Sequence, residues 1–204
     1  MTKGFLTSVY DLATPDETRK LYDEWSDSYD DEIMDNGYAT PERVARALAA
    51  QVRDLHAPIL DYGCGTGVSG AALIAAGFTT IDGADLSLEM LRQAQDKGLY
   101  RETWQVQPDS DLPFACGKYH AITATGVIGV GAAPPETLDL LMHALTPGGL
   151  FAFSFNDHAL ADPAFAARLN DWIFDKKAKL MFEEHGPHLP GIDLQATVYV
   201  LEKT

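Results

Sequence analysis

Ile59-Leu60-Asp61-Tyr62-Gly63-Cys64-Gly65-Thr66-Gly67 is the stretch whose reading decides the fold. Two apolar residues end a short strand at a carboxylate, and three glycines then permit a tight turn and a backbone approach that a Cβ would block. The alanine-rich run from Val68 to Ala76 predicts a helix closed by Gly77, and Thr80 to Ala84 predicts the next strand. Asp85 stands at the tip of that strand, in Gly83-Ala84-Asp85-Leu86-Ser87. About 20 residues past a glycine turn, a carboxylate can accept hydrogen bonds from both hydroxyls of a ribose. Together these elements predict a site for a nucleoside-containing ligand.

Gly65-x-Gly67-x-x-Gly70 also satisfies the dinucleotide pattern, so an NAD(P)-dependent oxidoreductase is an alternative reading. Asp61 separates the two. A pyrophosphate needs backbone donors and a helix N-terminus with no anion in front of it, whereas a carboxylate stands at the mouth of this turn. That suits a ligand with positive charge, such as S-adenosylmethionine, with Asp61 near its amino group and Asp85 on its ribose. Asp61-x-Gly63-Cys64-Gly65-Thr66-Gly67, Asp85-Leu86-Ser87-x-x-Met90-Leu91, Leu112-Pro113-Phe114 and Leu145-x-Pro147-Gly148-Gly149 resemble, in order and spacing, the class I S-adenosylmethionine-dependent methyltransferases. Within them the chain resembles the small Williams–Beuren-region methyltransferase-like group, from about Tyr22 to Thr204. The resemblance implies a Rossmann-like three-layer αβα fold. Its mostly parallel seven-stranded sheet would carry the last strand antiparallel between the fifth and sixth.

Before the turn, Thr14-Pro15-Asp16-Glu17 predicts a helix start, with a capping hydroxyl, proline in the first turn and acids against the positive dipole end. Leu21, Tyr22, Trp25 and Tyr29 share one face of that helix. In related methyltransferases the leading helix closes over the cofactor, which implies that Trp25 and Tyr29 line the site; an aromatic stripe packed on the core is the other reading. Thr40-Pro41-Glu42 starts a second helix carrying Val44, Leu48, Val52 and Leu55. Ser87 caps a later helix whose Leu88 and Leu91 are expected to face the sheet. Thr103 to Val106, Ala121 to Thr125 and the apolar run Leu150 to Phe155 predict strands three to five, with a helix from Pro135 to Leu145. Alternating strands and helices predict a parallel sheet. Lys179 to Glu183 and Ala196 to Leu201 are joined by Gly186-Pro187-His188-Leu189-Pro190-Gly191, too short for a crossover helix, so they pair antiparallel.

The 204 residues suit one α/β domain (1–204), with residues 1–57 as an N-terminal helical lid and first helix and 58–204 as the cofactor-binding sheet and terminal hairpin. Fifteen basic against thirty acidic side chains give a net charge of −15, a field that repels nucleic acid and anionic membrane surfaces. Only Cys64 and Cys116 are present, no apolar run approaches a membrane span of roughly 20 residues, and the first residues lack a signal-peptide core, which predicts a cytoplasmic setting.

The expected cofactor residues are Trp25, Tyr29, Asp61, Gly63, Cys64, Gly65, Thr66, Gly67, Asp85, Leu86, Met90, Gln107, Asp109 and Thr125. Leu86 and Met90 are placed to sandwich adenine, and Gln107 or Asp109 to hold its exocyclic amine. Cys64 is read as a small residue fitting the turn, since no resolving cysteine is near. Asn156, Asp157, His158, Glu184, His185 and His188 lie on the acceptor side and read mainly as exposed loop residues; no metal is assigned to them and no catalytic base is named. The Asn/Asp-Pro-Pro-aromatic tetrapeptide of relatives that methylate exocyclic or amide nitrogens is absent, for Thr125-Gly126-Val127-Ile128-Gly129 stands after strand four. With the acidity, this predicts a small-molecule methyl acceptor and no nucleic-acid or membrane partner. A cofactor-binding regulatory protein without transferase activity is the third reading.

Overall fold

In a computed structural model, which describes Phe5, Leu12, residues 14–107 and residues 110–204, seven strands form one sheet in the order β3-β2-β1-β4-β5-β7-β6. The strands are β1 (Ile59–Tyr62), β2 (Ile81–Asp85), β3 (Thr103–Gln105), β4 (Ala121–Ala124), β5 (Leu150–Asn156), β6 (Ala178–Leu189) and β7 (Leu194–Lys203). The first five run parallel, and β7 lies antiparallel between β5 and β6. The fold is the Rossmann-like methyltransferase fold expected from the sequence. Strand order reverses between β1 and β4, where ligands of open α/β sheets bind beyond the carboxyl ends of the strands.

The helices are α1 (Pro15–Asp35), α2 (Thr40–Ala49), α3 (Val68–Ala75), α4 (Leu88–Asp96), α5 (Glu136–Ala144), α6 (Asp157–Ala161) and α7 (Pro163–Phe174). Strand β5 shows how they divide between the two faces of the sheet. Phe151, Phe153 and Phe155 point into a core shared with Leu138 and Leu141 of α5 and Trp172 of α7, while Leu150 and Ala152 join Val44 and Leu48 of α2 and Leu73 of α3. A strand buried on both faces needs the unbroken apolar run seen in its sequence. A third cluster, Trp25, Ile33, Leu189 and Leu194, fastens α1 to the β6–β7 hairpin.

Helix α1 opens as the sequence predicts: Thr14 Oγ1 accepts the Glu17 N–H while the Glu17 carboxylate accepts the Thr14 N–H, a reciprocal cap. Helix α2 starts at the predicted residue by a different device. The Thr40 hydroxyl makes no cap and pairs instead with His188 Nδ1 at 2.8 Å.

Three expectations are corrected. Leu88 is exposed, and it is Met90 and Leu91 that α4 buries, because the helix turns its third and fourth residues inward. The terminal hairpin is longer than predicted: Glu184 to Leu189 belong to β6, and only a 3₁₀ turn at Pro190–Ile192 with Asp193 separates the strands. Gly186 and Pro187 are carried inside that strand, which sits at the sheet edge where proline is tolerated. His188, read as an exposed loop residue, is buried.

Candidate cofactor and acceptor cavities

The glycine turn rests on an internal carboxylate. Asp61, fully buried at the end of β1, accepts hydrogen bonds from Ser69 Oγ (2.6 Å), Tyr100 Oη (2.7 Å) and Thr123 Oγ1 (2.9 Å). Burial raises its pKa, against the pull of these three hydroxyls. The third glycine of the Gly-x-Gly-x-x-Gly run serves this arrangement, since a Cβ on Gly70 would meet Tyr100 Oη at 2.4 Å. At Gly65 the situation is reversed. Its φ is +53°, and a Cβ there would find nothing within 4 Å, so the turn presents bare backbone to open space.

Asp85 ends β2 beside that space. Its Oδ2 accepts the Gly65 N–H at 2.8 Å and its Oδ1 accepts the Ser87 N–H at 2.9 Å, which fixes the carboxylate and ties the two loops together. Burial pushes its pKa up to about 6; the backbone hydrogen bonds from Ser87 and Gly65 oppose this, and the nearby Asp61 charge adds to it. Ser87 Oγ accepts the Met90 N–H and so caps α4 as predicted.

These groups border a cleft of about 930 Å³, counted to its open mouth. Of the residues expected at a cofactor, Tyr29, Gly63, Gly65, Asp85, Leu86, Met90, Gln107 and Thr125 line it. Asp61, Cys64, Thr66 and Gly67 do not form its wall. Asp61 lies beneath the turn, and the buried Cys64 thiol has its pKa raised by burial, then by Asp85 and Asp61. Asp109 lies outside the described residues. Trp25 lines a second, adjoining cavity of about 600 Å³, which shares Tyr22, Tyr29, Gly126 and Ala132 with the first.

Thr18, Arg19 and Tyr22 of α1, Tyr62 after Asp61, Val106, and Val127, Ala132 and Ala133 beyond β4 also line the cleft, none of them among the residues expected there from the sequence. Tyr62 was within reach, because a residue at the carboxyl end of β1 belongs by topology to the ligand mouth. Of the loop after β4, topology pointed to Thr125, which lines the cleft, but no motif marked Val127, Ala132 or Ala133.

Helix α1 forms one wall of both cavities and is bonded to the loops that border them. The Ser87 hydroxyl donates to Asp23 and the Thr66 hydroxyl to Asp30, each at 2.5 Å, and Gln93 Nε2 donates to the Ser26 carbonyl at 2.8 Å. Among the described residues no group of three or more His, Cys, Asp or Glu is placed to hold a metal ion.

Residues 31–196 match a family model described as a methyltransferase domain. The chain belongs to the class I S-adenosylmethionine-dependent methyltransferases. This methyltransferase is 36% identical over 141 residues to the human methyltransferase-like protein 27, an alignment that covers 67% of this chain and 57% of that protein. The chain thus spans about half the length of the curated relatives it matches. Two solved structures share the fold. The methyltransferase in complex with the Haloferax volcanii Trm112 methyltransferase activator has a TM-score of 0.67 at 18% identity, covering 92% of this chain and 98% of that one. A methyltransferase from Thiobacillus denitrificans in complex with S-adenosyl-L-homocysteine has a TM-score of 0.55 at 14% identity, covering 79% and 91%.

Proposed function

We propose that this protein binds S-adenosylmethionine in the 930 Å³ cleft and transfers its methyl group to a small-molecule acceptor. The observation that carries the reading is the pairing of bare backbone at Gly65 with the fixed Asp85 carboxylate on one wall: a cradle that a side chain would fill, beside an acceptor for two ribose hydroxyls. Leu86, Met90 and Val106 offer apolar surface to an adenine, and Gln107 a polar group at its edge. Asp61 acts from beneath the turn, holding its shape and adding negative potential that favours a cationic ligand. When bound, the sulfonium supplies an activated methyl group, so the protein's part is to align an acceptor and exclude water.

The small-molecule acceptor is supported by the net charge of −15 and by a second cavity of about 600 Å³, counted to its open mouth, between α1 and the ends of β4 to β6. Placement in the Williams–Beuren-region group rests on motif spacing, and a cytoplasmic setting on composition. Among the described residues no helix is long and apolar enough to cross a membrane.

Calorimetry tests the cofactor directly. S-adenosylhomocysteine is expected to bind and NAD not to bind; the opposite result would sink the reading in favour of an oxidoreductase. Methyl transfer from labelled cofactor to any member of a metabolite panel separates an enzyme from a cofactor-binding regulator. Amide hydrogen exchange across residues 15–37 is expected to slow markedly with S-adenosylhomocysteine, as α1 gains contacts across the cleft. Equal, strong protection in both states would identify a permanently packed helix.

A further inference from the structure

The second cavity has a chemical character of its own. The rings of Tyr22, Trp25, Tyr29 and Tyr38 form much of its wall, and among the described residues that line it none is an acid, a lysine or an arginine. Ser154 Oγ is already engaged by the Gly126 N–H at 3.0 Å. One group stands apart. His188 is 6% exposed, its ring lies edge-on to Tyr38 with centroids 5.2 Å apart, and its Nδ1 is fixed against Thr40 Oγ1 at 2.8 Å. Its Nε2 has no hydrogen-bond partner among the described residues, so it is the ring nitrogen left to meet a ligand on the wall His188 helps to form.

Nε2 is not among the fully buried atoms that lack a partner, so it keeps accessible surface and is open to a ligand. We propose that the methyl acceptor is an uncharged aromatic hydroxyl compound, and that His188 Nε2 accepts its hydroxyl proton. The inference rests on the methyltransferase reading above and deepens it. Flat rings of an acceptor stack well against aromatic walls, and a cavity without a cationic side chain disfavours a carboxylate by its desolvation; an ammonium, which such rings can hold, has no lone pair with which to take the methyl group. In the transfer, the acceptor oxygen forms its bond to the methyl carbon as the carbon–sulfur bond breaks with its electron pair going to sulfur. The hydroxyl proton passes to Nε2 as the O–methyl bond forms, when the oxygen has become far more acidic than the imidazolium, and is later lost to water.

The charge environment keeps Nε2 ready. Burial lowers the His188 pKa to about 4; the Arg43 guanidinium of α2 acts in the same direction and Asp157 of α6 opposes it. The imidazole is therefore neutral at every pH above about 5, and in the tautomer whose Nδ1–H donates to Thr40 Oγ1 the lone pair lies on Nε2. Tyr29, on the same wall, has its pKa raised by burial and stays a neutral phenol.

The test uses the full chain saturated with S-adenosylhomocysteine and three probes: 2-naphthol, 2-naphthoate and 2-naphthylmethylammonium. Calorimetry is expected to rank 2-naphthol at least about tenfold tighter than 2-naphthoate, and labelled methyl is expected to pass to 2-naphthol, and to neither charged probe, when S-adenosylmethionine replaces the product. His188→Asn keeps a polar atom near the Nδ1 position and removes Nε2. Its kcat/KM for 2-naphthol at saturating cofactor is expected to fall about 100-fold, with the dissociation constant of S-adenosylhomocysteine within twofold of the parent. Equal or tighter binding of 2-naphthoate, methyl transfer to a charged probe in place of 2-naphthol, or an unchanged kcat/KM in the variant would overturn the proposal. The probe ranking on the parent protein decides it even if the variant does not fold. Absence of S-adenosylhomocysteine binding is a different result, since it rejects the underlying methyltransferase reading.

Discussion

Asp85→Ala is expected to weaken S-adenosylhomocysteine binding by about 10- to 150-fold, the equivalent of roughly 1.5–3 kcal/mol for hydrogen bonds to a charged acceptor. The carboxylate lines the cleft and is held in place by the Gly65 and Ser87 amides, so its removal takes away a prearranged acceptor and also releases the loops on either side. Calorimetry reads the affinity and thermal unfolding reads the release. The same group sets a pH dependence whose sign follows from its raised pKa of about 6. Between the unfolded carboxylate value near 3.8 and 6, the folded protein holds more protons than the unfolded chain, so this residue's contribution to stability falls as pH rises through that window and is level above it. Hydroxyl donors require the ionised form. Affinity for S-adenosylhomocysteine should therefore be constant above about pH 7 and decline toward pH 5, and Asp85→Asn should flatten the profile. A profile that is already flat in the parent would remove Asp85 from the ribose.

Gly65→Val is expected to reduce S-adenosylhomocysteine binding more than 100-fold with the fold retained. Two effects add. The residue has a φ of +53°, where a β-branched side chain is strained by about 1–3 kcal/mol. The new branches would also enter the open space that a ligand needs, without touching core side chains. Circular dichroism checks the fold and calorimetry the binding. If the variant binds within threefold of the parent, Gly65 is a turn residue and nothing more.

Much of this architecture could be read from the chain because its signals are local. The Thr14–Glu17 cap, the glycine turn, Ser87 on α4 and the apolar run of β5 each depend on residues a few positions apart, and each appears where it was expected. What escaped notice depends on partners far along the chain. Helix α7 is an exception, missed although its signals are local: Asp162 and Pro163 open it, and Phe165, Leu169 and Trp172 recur at helical spacing on the face it buries. The end of β6 reads as a loop until β7 pairs with it. Asp61 draws its hydroxyl donors from Ser69, Tyr100 and Thr123, and only the folded sheet brings Tyr100 and Thr123 to it. The same applies to His188. Its meaning depends on Thr40, 148 positions away, and on aromatic residues of α1.

The antiparallel β7 has a consequence for biosynthesis. Because it enters between β5 and β6, the hydrogen-bonding edge of the aromatic strand β5 stays unpaired until the last strand has been made. During vectorial synthesis at about 5–20 residues per second, Leu150-Phe151-Ala152-Phe153-Ser154-Phe155 would spend seconds emerged with one side bare. A short segment of this kind, rich in phenylalanine and without charge or proline, is a ready template for pairing with another nascent copy. The ribosome-bound chain therefore faces its greatest aggregation hazard after β5 emerges, and insertion of β7 ends it.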